Sequence, residues 1–310
     1  MLSQFNSLSA QQYNLQSQVS SGLSVQAPSD NPTEMQNTLT DLAHQSTQTQ
    51  YSANIATLQT RATSVDSVLQ SLQTISMNAG EIATSAGSLA NATGGNTANN
   101  QATLNNYADS INKLINQVVA AANTKDPSTG NYLFGGTASG AAPFTKTTDA
   151  NGNVTGVTYN GNSSVNQAQI GDGLTASADL PGVNTSGTGP HGLITDSATG
   201  ADFINHLISL RDNLTAGNTT AITTTDSANL AKDENNIAYQ VANNGVIQTQ
   251  LNTASTFASS SSSNLSQMIS NSSSANLMNT MVALSRAQTS YQAALQSGAK
   301  IMQLSLLNYL

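Results

Sequence analysis

His44, His191 and His206 are the side chains best suited to carrying protons near neutral pH, and they lie in three separate segments. No carboxylate or serine stands at catalytic spacing from any of them. A lone histidine on a helix face, the setting expected for His44, is ordinarily solvated or hydrogen-bonded rather than a ligand. Cysteine is absent, which removes disulfides, thiolate metal sites and thiol nucleophiles. No glycine-rich loop closes in Lys-Ser or Lys-Thr, and no His-x-x-x-His pair occurs. Asp149-Ala150-Asn151-Gly152-Asn153 sets oxygen-bearing side chains at alternate positions, as a calcium loop does. Val154 replaces the required glycine, however, and Asn160 the closing glutamate, so the segment reads as a hairpin turn. Asp109 and Lys113, four residues apart, read as an ion pair on a helix surface. The chemistry therefore points to no catalytic, cofactor or metal site, and enzyme activity is not expected.

Composition narrows the class further. Charged residues make up 8% of the 310, against a norm of about 25%, and the net charge is −8. None occurs from Met1 to Ser29 or from Asn235 to Ser285. The acidic balance argues against nucleic acid, and no apolar run reaches the ~18 residues needed to span a bilayer. The N-terminus has no basic region followed by an apolar core, so no cleaved signal peptide is expected. Tryptophan is absent and aromatics amount to 4%, which disfavours deep aromatic ligand pockets.

The elements that remain are helices with apolar stripes. At the C-terminus, Leu277, Met281, Leu284, Gln288, Tyr291, Leu295, Gly298, Met302, Ser305 and Tyr309 step by four and three, a spacing suited to coiled coils. The chain then finishes on apolar residues that include Leu306, Leu307 and Leu310. An apolar, uncapped end of this kind marks an interaction surface. Near the N-terminus Phe5, Leu8, Gln12, Leu15, Val19 and Gly22 make a matching stripe, so the two ends are expected to pair. Buried among neighbours, such helices would explain the missing charge, because an unpaired buried charge is costly.

Between the ends, Ala27-Pro28-Ser29-Asp30-Asn31-Pro32 excludes a continuous helix and reads as a hinge at Pro28, Asp30 and Pro32. Residues 33–90 carry two adjacent stripes, one through Ile55, Leu58, Ala62, Val65, Leu69 and Leu72, the other through Val68, Ile75, Ile82 and Leu89. Two stripes mean a helix inside a bundle. A further helix is expected over 102–122, with Leu104, Tyr107, Ile111, Leu114 and Val118 inward. Glycine and threonine rise over 128–200, where 145–158 reads as two strands. Helices return with Phe203 to Leu214, ending at Gly217, and then from Ser227 to Ala258. The run Ser259–Ser263 either interrupts this last helix or tethers it to the terminal one.

Three motifs resemble a known family. Gln18-Val19-Ser20-Ser21-Gly22 followed by Ala27-Pro28-Ser29-Asp30-Asn31-Pro32 looks like the N-terminal signature of flagellin-like axial proteins of bacterial flagella. Asn131-Tyr132-Leu133-Phe134-Gly135-Gly136-Thr137 with Pro143-Phe144, and the ending Tyr291 to Leu310, resemble the hook-associated protein 3 branch of that family. Leu23-Ser24 stand where the family has a basic pair, and its first helix begins earlier than this one. The resemblance implies a mainly α fold with a small β insertion. Terminal coiled-coil helices (1–32 and 272–310) would form an assembly domain. An elongated helical trunk (33–136 and 200–271) would carry an outer β-rich domain (137–199). It also implies a structural role at the junction of hook and filament. Expected partners are copies of itself in a tubular layer, hook-associated protein 1, flagellin and a flagellar export chaperone. A flagellin filament subunit is the nearest alternative, disfavoured by Tyr132–Thr137 and by the ending Asn308-Tyr309-Leu310. A secreted helical translocator or adhesin would share the low charge and the heptads but not the motifs.

Overall fold

The structure is a computed structural model that describes the backbone of residues 2–90 and 97–307 and the side chains of 3–89 and 99–300. In chain order the first helices are α1 (Leu2–Ser21), α2 (Pro32–Ala90) and α3 (Thr97–Ala122). Seven short strands follow: β1 (Phe144–Thr148), β2 (Val154–Tyr159), β3 (Ala168–Gly171), β4 (Leu174–Ala176), β5 (Val183–Asn184), β6 (Thr195–Asp196) and β7 (Ala201–Asp202). Then come α4 (Phe203–Ala216), α5 (Thr219–Ala221), a π-helical turn over Ile222–Asp226, α6 (Ser227–Ser273) and α7 (Leu277–Leu307). The fold is thus mainly helical with a small β region, and no described helix is long and apolar enough to cross a membrane.

The chain divides into two compact units, Met1–Gln50 with Ala258–Leu310, and Tyr51–Phe257. In the second unit the expected stripe of α2 is the core: Ile55, Ala62, Val65, Leu69 and Leu72 are almost wholly buried. Val65, Leu69 and Leu72 share one buried cluster with Ile111, Ile115 and Val118 of α3, Leu207, Leu210 and Leu214 of α4, and Leu230 and Ile237 of α6. Gly217 (φ 69°) closes α4 in the left-handed conformation that glycine adopts without penalty. The 145–158 hairpin forms as β1 and β2, antiparallel, with Phe144 opposite Tyr159 and a bulge after Thr147. A second hairpin, β3–β4, turns on Asp172-Gly173, and β5, β6 and β7 make a three-stranded sheet. Phe144, Val154, Leu180, Leu193 and Ile194 bury their side chains in the helical core.

Two arginines fasten this β region to the helices. Arg61 of α2 donates to Leu133 O (2.8 Å) and forms ion pairs with Asp126 (3.4 Å) and Asp179 (2.7 Å). Burial alone would raise the Asp126 carboxyl, but the Ser128 hydroxyl and N–H and the Arg61 charge hold it below the ordinary value. Arg211 of α4 donates to Val154 O and pairs with Asp212.

In the first unit α1 pairs with α7, and α2 is tied to α6 by Gln45 Nε2 donating to Ser266 Oγ at 3.0 Å. Asn31 caps α2, accepting from Glu34 N–H (3.2 Å) and donating to Glu34 Oε2 (2.7 Å), with Pro32 at the first helical position. Ser259–Ser263 does not interrupt α6, which runs unbroken to Ser273. The reason is a stripe the serines do not break. Leu251, Ala254 and Ala258 are buried, and Ser261, Leu265, Ile269 and Ser272 continue half-buried at steps of three and four.

Candidate assembly surface

The α1–α7 pair brings the two terminal stripes together. Phe5, Leu8, Leu15 and Val19 of α1 are half-buried, as are Leu284 and Tyr291 of α7. Phe5 packs edge-to-face on Tyr291. The line that α7 buries most deeply is made of smaller residues: Thr280, Ala287 and Gly298 are buried, and Ala283 and Ala294 half-buried. Small side chains let two helix backbones approach, and a cleft of about 500 Å³ remains beside them, lined by Phe5, Leu8, Ala294 and Gly298.

Three larger apolar residues among those described in α7 lie off that line. Leu277, Met281 and Leu295 are 45%, 55% and 49% exposed. Beside them Met278 and Val282, which the stripe of fours and threes omits, are 77% and 48% exposed. Met302, Leu306 and Leu307 lie outside the residues whose side chains are described, and Leu310 outside the described residues altogether. At the hinge Pro28, Asp30 and Pro32 are all exposed. The Asp30 carboxylate accepts from the N–H groups of Gln26 (3.1 Å) and Ala27 (2.9 Å), which gives the turn a fixed shape.

The groups able to do chemistry are occupied structurally. His44 is exposed. The reading that the other histidines lack carboxylate partners is corrected: His191 Nδ1 lies 3.1 Å from Asp196 and His206 Nδ1 2.7 Å from Asp233. The first pairing spans a loop turn, and the second joins α4 to α6, so chain spacing concealed both. Asp233 also accepts from Asp202 N–H (2.9 Å), and burial raises its carboxyl above the ordinary value despite His206. Burial would raise Asp196 too, but the Gly192 N–H, His191 and the Thr199 N–H together bring it below. Asp149 spends its oxygens on Asn151 N–H, Asn153 N–H and the Asn153 amide, as the turn reading requires. Asp109 and Lys113 form no ion pair among the described residues; Asp109 instead lines a polar cavity beside Asp149 and Arg211.

The sequence reading also missed a polar stripe on α6. Asp233, Asn236, Gln240 and Asn244 are buried. Asn236 donates to Gly192 O and Leu193 O, Gln240 to His191 O, and Asn244 to Ala62 O. Their spacing of three, four and four on one helix face was the available signal.

Neither a protein-family model nor a curated protein sequence matches the chain. Solved structures do. One described as a flagellar hook-associated protein, from Vibrio parahaemolyticus, aligns at 17% identity and a TM-score of 0.64, covering 79% of this chain and all of that one. FlgL of Bacillus cereus aligns at 19% identity and 0.57, covering 74% and 99%. Flagellar hook-associated protein 3 of Legionella pneumophila aligns at 14% and 0.56, covering 74% and 98%. Over the 74–79% of this chain that those structures cover, it shares the fold of these flagellar hook-associated proteins.

Proposed function

We propose that this chain is a non-enzymatic structural subunit of the bacterial flagellum that joins hook to filament. Copies assemble laterally into a tubular layer through their terminal helices, with hook-associated protein 1 on one side and flagellin on the other. Before assembly the subunit is exported, a chaperone covering α7, and it ends outside the cell. Residues 1–32 and 272–310 act as the assembly domain, 33–136 and 200–271 as the trunk, and 137–199 as the outer domain. Neither nucleic acid nor membrane is a partner.

The observation that carries this reading is the exposed part of the α7 stripe. A helix already paired with α1 still presents Leu277, Met281 and Leu295 to solvent at heptad positions. Such a stripe is an unfilled helix-packing surface, and neighbouring copies in a ring would fill it. Electron microscopy of a strain lacking the gene tests the proposal. Hooks without filaments, with flagellin shed into the medium and filaments restored by complementation, are the expected outcome. Normal filaments in the deletion strain would exclude a junction role.

A further inference from the structure

The two breaks that set off the terminal helices, 22–31 between α1 and α2 and 274–276 between α6 and α7, are fastened to each other. Leu23 and Ser274 form an isolated antiparallel bridge. Ser24 N–H donates to Ser273 O at 2.7 Å and Ala275 N–H to Gly22 O at 2.8 Å. The Ser24 hydroxyl adds contacts to Ser272 O (3.3 Å) and Ser273 O (3.2 Å). Each leg is also held to its own helix. Gln18 Nε2 donates to Ser24 O at 2.9 Å on one side, and Asn276 Oδ1 caps α7 by accepting from Asn279 N–H at 3.1 Å on the other. Gly22 makes the exit from α1 at φ 71°, and a Cβ there would meet nothing, so its role is conformational.

We propose that these two breaks work as one two-legged hinge, clasped at Leu23–Ser274, so that α1 and α7 turn together as a single arm on the adjoining stretches of α2 and α6. A lone break of several residues leaves each helix free to swivel through its own backbone dihedrals. Two breaks tied by a pair of crossed backbone hydrogen bonds cannot turn separately unless those bonds open. The clasp is built from backbone groups and a serine, so its sequence signature is Gly22 with Ser24 on one leg and the small residues Ser272 to Ala275 on the other, rather than any charged motif. Its consequence is that the exposed stripe on α7 keeps a set direction instead of wandering with a loose terminal helix. This goes beyond the flagellar reading and does not depend on it.

Distances between spin labels in the purified full chain test the hinge. The chain has no cysteine, so labels attach only where they are introduced. Asn14→Cys with Gln292→Cys reports the arm, and Asn14→Cys with Thr40→Cys reports the hinge; all three sites are exposed. Both distributions are expected to be narrow. Ser24→Pro and Ala275→Pro each remove one clasp donor and are expected to widen the 14–40 distribution while the 14–292 distribution stays narrow. Ser24→Ala keeps the backbone bonds and is expected to match the parent. The hinge is overturned if the 14–40 distribution is unchanged in both proline variants, if the 14–292 distribution widens with it, or if Ser24→Ala widens it equally. Amide exchange in the unsubstituted chain gives an answer independent of how the variants fold. The Ser24 and Ala275 amides are expected to open at one shared rate, and clearly different rates would mean that the legs move separately.

Discussion

Phe5 of α1 and Tyr291 of α7 meet edge to face, their ring centroids 5.7 Å apart and their planes at 81°. That arrangement sets the positive edge of one ring against the negative face of the other and adds roughly 0.5–1.5 kcal/mol beyond buried area. The contact matters here because the rest of the α7 line is small and a cleft remains beside it. The two rings are the largest side chains joining the ends of the chain at that point.

A double-mutant cycle on the ring pair follows. Phe5→Leu and Tyr291→Leu should each speed amide exchange in α1 while leaving the core of the second unit protected. Their coupling should come to about 0.5–1.5 kcal/mol. Effects that simply add would mean that the rings meet without holding the helices.

Met281→Glu separates assembly from folding. Met281 is 55% exposed, so a glutamate there leaves the free chain's carboxylate in water and the melting temperature unchanged. In a ring of copies the same carboxylate would be buried without a partner, at a cost of several kcal/mol per subunit. Loss of motility with an unchanged melt is the expected result. Ala287→Glu is the contrast, because Ala287 is buried within the first unit and a charge there should loosen the α1–α7 pair in the free chain itself. If Met281→Glu swims normally, the exposed stripe is not an assembly surface.

The sequence discloses much of this arrangement where one periodicity dominates. The stripes of α2 and α3 are read correctly because Ile55, Leu69, Leu72, Ile111 and Val118 recur on one face and are all buried. The β1–β2 turn is legible because Asp149 to Asn153 contain the groups that bond their own backbone. On α7 the stripe is visible, but not which residues face α1. Periodicity places Thr280 and Ala287 beside Leu277 and Met281 without saying which side the partner takes. Polar burial was the least legible feature. Asn236 and Gln240 are silent as an apolar pattern because their partners are backbone carbonyls in a loop distant along the chain. The serine run left the extent of α6 open for a related reason: its inward residues follow the helical stripe, yet none of them is apolar.

The Asp196 environment sets a pH dependence. Its folded carboxyl titrates below its unfolded one, because the bonds from Gly192 N–H, His191 and Thr199 N–H outweigh the effect of burial. Its stabilisation is therefore present above the unfolded value and is lost as pH falls through the folded one. Asp196→Asn should lower stability near neutral pH and flatten the acid limb of a melting-temperature profile. Asp233 has the opposite sign, since burial raises its folded value: its contribution is present below the unfolded value and lost as pH rises through the folded one. Asp233→Asn should therefore flatten the profile above the ordinary aspartate range rather than below it. An Asp196→Asn profile parallel to the parent at every pH would show that the carboxylate is not what holds this loop.

Excising residues 139–198 tests how far the β region is a separable insertion. Surface insertions usually tolerate removal, but five side chains in this one, Phe144, Val154, Leu180, Leu193 and Ile194, are buried in the core shared with the helices. At about 1.5–3 kcal/mol each, losing them is comparable with the entire 5–15 kcal/mol that keeps a typical domain folded. The excision also removes Val154 O, which accepts from the buried Arg211, and Asp179, which pairs with Arg61. A Gly/Ser linker in place of 139–198 should therefore lower the melting temperature of the second unit steeply and leave α3 and α4 open to proteolysis. A milder cut separates the two sources of loss. Replacing only the turn Ala150–Gly152 removes no buried side chain, and it should change stability little if the core contacts, rather than the chain connection, are what matter. An excised protein that melts as the parent does would show that the helices close over the gap by themselves.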